Sequence, residues 1–118
     1  MIMTQKLFDD GWQKFVVEDA PCSHVPGEPK CLYRDSKGNK CLIGLQIPDD
    51  IYSPDMENRD AINLEREFNI VFENAGMANS MQGDLHDSLI YCSQEEREQT
   101  YITFATKHDL TIPNNGEF

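Results

Sequence analysis

Three sets of side chains in this chain have the types and spacing to do chemistry. The first is sulfur and imidazole: Cys22-x-His24, Cys31 and Cys41. Thiolate and imidazole suit tetrahedral zinc, so these four form a candidate metal set. No closely spaced Cys pair supplies the usual ligand bite, however, and free cysteines commonly serve as small core hydrophobes. The second set is His86-Asp87 and His108-Asp109, the dipeptide used by metal phosphohydrolases. Those enzymes need further histidines and a larger helical frame, and this chain has three histidines in all. The third set is Asp49, Asp50, Asp55 and Glu57, oxygen ligands of the kind that hold Ca²⁺ or Mg²⁺. Their spacing is not that of an EF-hand, and Pro48 and Pro54 interrupt it, so an acidic solvated loop is the simpler reading. No nucleophile signature and no phosphate-cradling glycine loop is present. The expectation is a protein without cofactor.

The elements that position these residues follow from periodicity. Thr4–Val17 reads as a helix capped by Thr4, with Leu7, Phe8, Trp12, Phe15 and Val16 at helical spacing. Gly11 weakens it by about 1 kcal/mol relative to Ala. Residues 18–29 hold three prolines and a glycine and read as loop. Lys30–Arg34 and Lys40–Leu45 read as the two strands of a β-hairpin. A type I turn over Ser36-Lys37 would join them, with Gly38 in the left-handed region. That register sets Asp35 opposite Asn39, Tyr33 opposite Cys41 and Cys31 opposite Ile43. Gly44 predicts a close backbone approach or a bulge, and Pro48 ends the strand. Residues 48–61 read as loop. A second helix is predicted over Asn63–Ala75, with Gly76 as its C-terminal cap. A third is predicted over Ser80–Tyr91. The run Ser93-Gln94-Glu95-Glu96 is a capping box that opens a fourth. The sum is an α+β domain, a small antiparallel hairpin packed on three or four helices. It spans residues 1–113 as one unit, with 114–118 as a flexible tail.

The hairpin region also carries a resemblance. Cys31-x-Tyr33-Arg34, Gly38-x-Lys40-Cys41-x-x-Gly44-x-x-Ile47-Pro48-Asp49-x-x-Tyr52 and Met56-Glu57 resemble a group of small uncharacterised proteins of tailed phages and prophages. Weaker similarity continues in Leu85-His86-Asp87 and Phe104-Ala105 with His108. The sequence departs at Leu45-Gln46, where such proteins often have Cys-Leu, and at Asn58, where they usually have Gly. The resemblance implies a phage origin and the cytoplasm of a host cell, and implies no particular activity.

Charge supplies the functional expectation. The 118 residues carry a net charge of −11. Residues 30–40 are locally +3, with four bases against Asp35, whereas residues 49–73 are locally −6, with eight carboxylates against Arg59 and Arg66. Such acidity disfavours nucleic acid and anionic lipid and steers toward basic proteins. It also serves solubility alone. No apolar run approaches bilayer-spanning length, and the N-terminus, with Lys6 and Asp9-Asp10, does not read as a secretion signal. The reading is a non-catalytic phage accessory protein whose acidic surface engages a basic, nucleic-acid-binding host protein, imitating phosphates. Its contact set is Asp49, Asp50, Ile51, Tyr52, Asp55, Met56, Glu57 and Asp60. The competing reading is a small metal-dependent enzyme, or a regulator stabilised by zinc on Cys22, His24, Cys31 and Cys41.

Overall fold

The computed structural model describes residues 1–24 and 32–113. Four α-helices make the frame: α1 (Thr4–Gly11), α2 (Ala61–Phe68), α3 (Ala75–Leu85) and α4 (Gln94–His108). α1 runs on into a π-helical stretch, Trp12–Val17, and short 3₁₀ turns cover Gly44–Gln46, Pro54–Met56 and Asp87–Leu89. α1 packs on α3, α2 on α3, and α4 on the π-helical stretch.

The helix expected over Thr4–Val17 is α1 together with the π-helical stretch, with Leu7, Phe8, Trp12, Phe15 and Val16 all buried. Its first turn is not capped by Thr4. Thr4 N–H is itself one of the orphan donors, and it reaches the Glu73 carboxylate at 2.9 Å. An acid there also complements the helix dipole. Gly11 has a packing reason. A Cβ at that position would run into Leu42 Cδ1 and sit 2.7 Å from Tyr101 Oη. Tyr101 is fully buried, with its ring centroid 5.4 Å from that of Phe8 and 6.2 Å from that of Trp12. Its hydroxyl donates to Leu85 O at 3.0 Å, which ties α4 to α3.

The π-helical stretch would leave its last carbonyls unpaired, and α4 supplies their partners. Buried Arg97 donates through Nη1 to Phe15 O at 3.2 Å and Ala20 O at 2.7 Å, and Gln94 Nε2 donates to Val16 O at 2.7 Å. Asp19, at φ 52, turns the chain out of the helix and sets its carboxylate 3.5 Å from Arg97.

The α+β expectation is wrong. Among the described residues there is no β-strand, and the isolated bridges that join two of them are Ile2 with Phe72 (parallel) and Arg34 with Lys40 (antiparallel). The turn itself is present in the expected register. Asp35 N–H donates to Asn39 O at 3.0 Å, Cys41 N–H to Tyr33 O at 3.3 Å, and Gly38 has φ +85. Burial raises the Asp35 carboxyl pKa, but hydrogen bonds from Asn39 and Lys37 outweigh it and hold the group below its usual value. The arms then fail to extend. Leu45 N–H returns to Cys41 O at 2.9 Å and Gln46 N–H to Ile43 O at 2.9 Å, closing a 3₁₀ turn. Ile43 N–H goes to the Gln82 side chain of α3 at 2.9 Å instead of to a strand. Leu42 and Ile43 are both buried, although a strand with one face on the core and one in solvent would bury only one of two successive side chains. Gly44 lies against the Tyr33 carbonyl, so the close approach expected there is real, but it serves a chain reversal. The pairing of Cys31 with Ile43 falls outside the described residues.

The second helix is also shorter than expected. It starts at Ala61, with Asp60 as its N-cap accepting from Asn63 N–H at 2.9 Å. It stops at Phe68 because Asn69 adopts the left-handed region, φ 58, which Asn tolerates. The chain beyond is drawn away by the N-terminus: Ile2 N–H donates to Val71 O and Glu73 N–H to Ile2 O, both at 2.8 Å. Gly76 is not a C-terminal cap. Asn74 caps a new helix, α3, by accepting from Met77 N–H at 3.0 Å, and Gly76 lies in its first turn. The helix expected over Ser80–Tyr91 is the second half of α3 plus a 3₁₀ turn. α4 begins with the predicted capping box, both of whose bonds are made. Ser93 holds the Glu96 carboxyl below its usual pKa. The tail expected over 114–118 lies outside the described residues.

Candidate functional site

The stretch from Tyr33 to Glu57 closes into one knot around two charged side chains, Arg34 and Glu57. Glu57 accepts from Tyr33 N–H at 2.8 Å, from Arg34 N–H at 3.2 Å and from Tyr52 Oη at 2.6 Å. Arg34 lies over the Tyr52 ring, 4.4 Å from its centroid, and donates to Ile47 O at 2.8 Å. The same guanidinium meets Asp49 at 2.9 Å, and Lys40 stands 3.6 Å from that carboxylate. Tyr33 Oη donates to Arg59 O. Gly44 N–H donates to Cys41 Sγ at 3.1 Å. These bonds tie Tyr33, Arg34, Cys41, Ile47, Asp49, Tyr52, Glu57 and Arg59 into one network, and the knot fixes the course of residues 33–59.

This arrangement divides the expected contact set. Asp50, Ile51, Asp55 and Asp60 are exposed, Ile51 by 49%. Among the described residues Asp50 and Asp55 have no ion-pair partner. Asp49 is exposed but neutralised by Arg34 and Lys40, so the basic turn and the start of the acidic loop cancel each other. Three members must be corrected. Met56 is 1% exposed and belongs to the core, so it cannot anchor a partner. Tyr52 and Glu57 are half-buried and spend their polar atoms inside the knot. Reversing the charge of Glu57 would therefore damage the fold before it tested any surface.

Burial, the hydrogen bond to Glu57 and the charge of that carboxylate raise the Tyr52 pKa from 10.0 to about 12. The folded pKa is raised, so its contribution to stability is complete below pH 10 and is lost as pH rises toward 12. Alkaline titration followed at 295 nm should show two phenols ionising late, Tyr52 and Tyr101, the latter pushed up chiefly by its burial. Tyr52→Phe should flatten the fall in stability over that interval; an unchanged profile would contradict the hydrogen bond.

Of the sulfur and imidazole candidates, Cys41 belongs to this knot, its Sγ accepting from Gly44 N–H. Cys22 and Cys41 are buried among apolar side chains, His24 Nδ1 lies 2.9 Å from Cys22 O, and the His24 ring packs on Tyr91. Cys31 lies outside the described residues. Among the described residues no three His, Cys, Asp or Glu side chains gather in a group that could hold a metal ion. His86 is fully buried, edge-on to Phe15 at 5.3 Å, with Nδ1 donating to Asp87 Oδ1 at 2.9 Å. His108 packs on Phe104, with centroids 4.2 Å apart.

A cleft of about 410 Å³, not foreseen from the sequence, opens beside the knot. Its walls are Tyr33 and Ile43, residues 57–60, and Asn79, Gln82, Gly83 and Asp87 at the C-terminal half of α3 and just beyond. Asn58, at φ 67, stands in the left-handed region at its edge. Gln82, 9% exposed, accepts from Ile43 N–H and donates to Asp87 Oδ1 at 3.0 Å, so the cleft wall is fixed from both sides. Asn79 Oδ1 accepts from Ala61 N–H at 2.7 Å. Three carboxylates, Glu57, Asp60 and Asp87, line the space against one guanidinium, that of Arg59, which leans to Glu67 at 3.5 Å.

No family model, curated protein or solved structure matches the chain. Among the described residues, no helix is long and apolar enough to cross a membrane.

Proposed function

We propose that the protein is a non-catalytic interaction module, a phage accessory protein that docks a basic, nucleic-acid-binding protein of the host cell through the acidic loop outside the knot. The observation that carries this reading is the pair Asp50 and Asp55, exposed, without ion-pair partners among the described residues, and placed on either side of exposed Ile51. Asp60 continues the acidic face at the start of α2. Unpaired acids raise the rate of encounter with a basic partner, and Ile51 supplies the apolar contact that charge does not. The knot makes this surface stiff, so little ordering cost falls on binding.

A synthetic arginine- and lysine-rich peptide serves as probe. Its association rate should fall steeply with added salt, because the Debye length shortens to about 10 Å at 0.1 M. Asp50→Lys with Asp55→Lys should slow association at low salt by at least about tenfold, within the range electrostatic steering gives. The melting temperature should stay unchanged, because neither side chain takes part in the knot. An unchanged association rate in a folded variant would overturn the proposal.

A further inference from the structure

The cleft beside the knot has a feature that packing does not explain. Gly83 lies inside α3, where glycine weakens a helix. A Cβ placed on it would meet nothing within 4 Å. Gly11 and Gly44 are glycine because a neighbour fills the space; Gly83 has empty space in front of it, and that space is the cleft. A bare stretch of helix backbone facing an open cavity suits a ligand that lies close along it. The cavity, about 410 Å³, is large enough for one long side chain.

The chemistry of the walls selects which one. Asp60 and Asp87 offer acceptors from two different elements. Both are held in place: Asp60 by its cap bond to Asn63 N–H, and Asp87 by Gln82 and His86. Fixed carboxylates from two elements lining one cleft fit a planar guanidinium, which donates in a fork and carries a weak hydration shell. We propose that this cleft receives an arginine side chain of the basic partner, its aliphatic stem along Gly83 and its guanidinium between Asp60 and Asp87. The proposal rests on the interaction reading above and gives that surface its point of specificity.

The probes are N-acetyl-arginine-N-methylamide and the citrulline analogue, which has the same shape without the charge. Backbone amide resonances of Asn58 and Gly83 should shift saturably with the arginine compound and stay still with citrulline. Gly83→Ala should weaken binding at least tenfold while raising the melting temperature, because the methyl group covers the bare backbone along which the stem lies and favours the helix. Asp60→Asn should also weaken it tenfold, although asparagine keeps the helix cap. Equal binding of the two compounds, or full affinity in Gly83→Ala, would overturn the proposal. The two readings fail separately. If the arginine-rich peptide still binds Gly83→Ala normally but not the Asp50→Lys, Asp55→Lys protein, the cleft assignment is wrong and the surface stands. If the arginine compound fills the cleft but that double variant binds the peptide normally, the surface is wrong and the cleft stands.

Discussion

Glu57→Ala is expected to lower stability by about 3 kcal/mol, the sum of lost bonds and stranded donors at about 1–3 kcal/mol each, reduced by partial access of water. The change strands the N–H groups of Tyr33 and Arg34 and the hydroxyl of Tyr52, three donors that converge on one carboxylate. Tyr33 is only 5% exposed, so water reaches its backbone poorly. Glu57→Gln keeps one acceptor oxygen and should cost less than half as much. Urea unfolding, with the midpoint displaced at unchanged slope, measures the difference. A loss under 1 kcal/mol in the alanine variant would mean that the knot does not hold residues 33–59 together.

Arg97→Ala should be at least as costly, about 4 kcal/mol, by removing a buried stem and stranding the carbonyls it serves. The guanidinium is the partner of Phe15 O and Ala20 O, at the point where the first helix widens and ends. Arg97→Lys should recover only part of the loss, since the shorter lysine side chain ends short of the position of Nη1, the nitrogen that serves both carbonyls. Hydrogen exchange should locate the damage: the Glu18 and Ala20 amides, bonded to Gln13 O and Lys14 O, should lose protection before those of α3. Uniform loss of protection across the molecule, or a melting temperature within a few degrees of wild type, would contradict the role assigned to Arg97.

Neither result could have been foreseen from spacing alone, and the reasons differ. The helices at the two ends were legible because their signals are local. An apolar stripe marks α1 and a capping box marks α4. The hairpin misled because its turn chemistry was right. Asp35, Gly38 and Asn39 fix a reversal in the expected register, but a turn does not oblige its arms to be strands. Gln82, distant in sequence, takes the Ile43 N–H that a strand would have offered, and Leu42 and Ile43 bury together. Gly76 misled in the opposite sense. It resembles a helix end, but the stop is Asn69, one of the few non-glycine residues that enters the left-handed region readily, and the start is the side chain of Asn74.

The candidate surface was legible in charge and not in geometry. Sequence shows eight acids between Asp49 and Glu73, but not that Asp49 is neutralised, that Glu57 is structural or that Glu65 caps Phe72 N–H. Met56 looks like an anchor among acids until its side chain is found in the core. The cleft left no local signal except Gly83, a glycine inside a helix with nothing packed upon it.

The central claim is that the acids outside the knot form a specific docking surface and do not act through net charge alone. The most direct test compares two proteins of equal charge. One carries Asp50→Lys and Asp55→Lys; the other carries Glu95→Lys and Glu98→Lys on α4. Affinity for the arginine- and lysine-rich peptide is measured by calorimetry at one fixed ionic strength. The account predicts that the loop variant loses at least about tenfold in affinity, about 1.4 kcal/mol, while the α4 variant stays within about twofold of the unaltered protein. Equal losses in the two variants would show that only total charge matters, and would contradict the assignment of the surface.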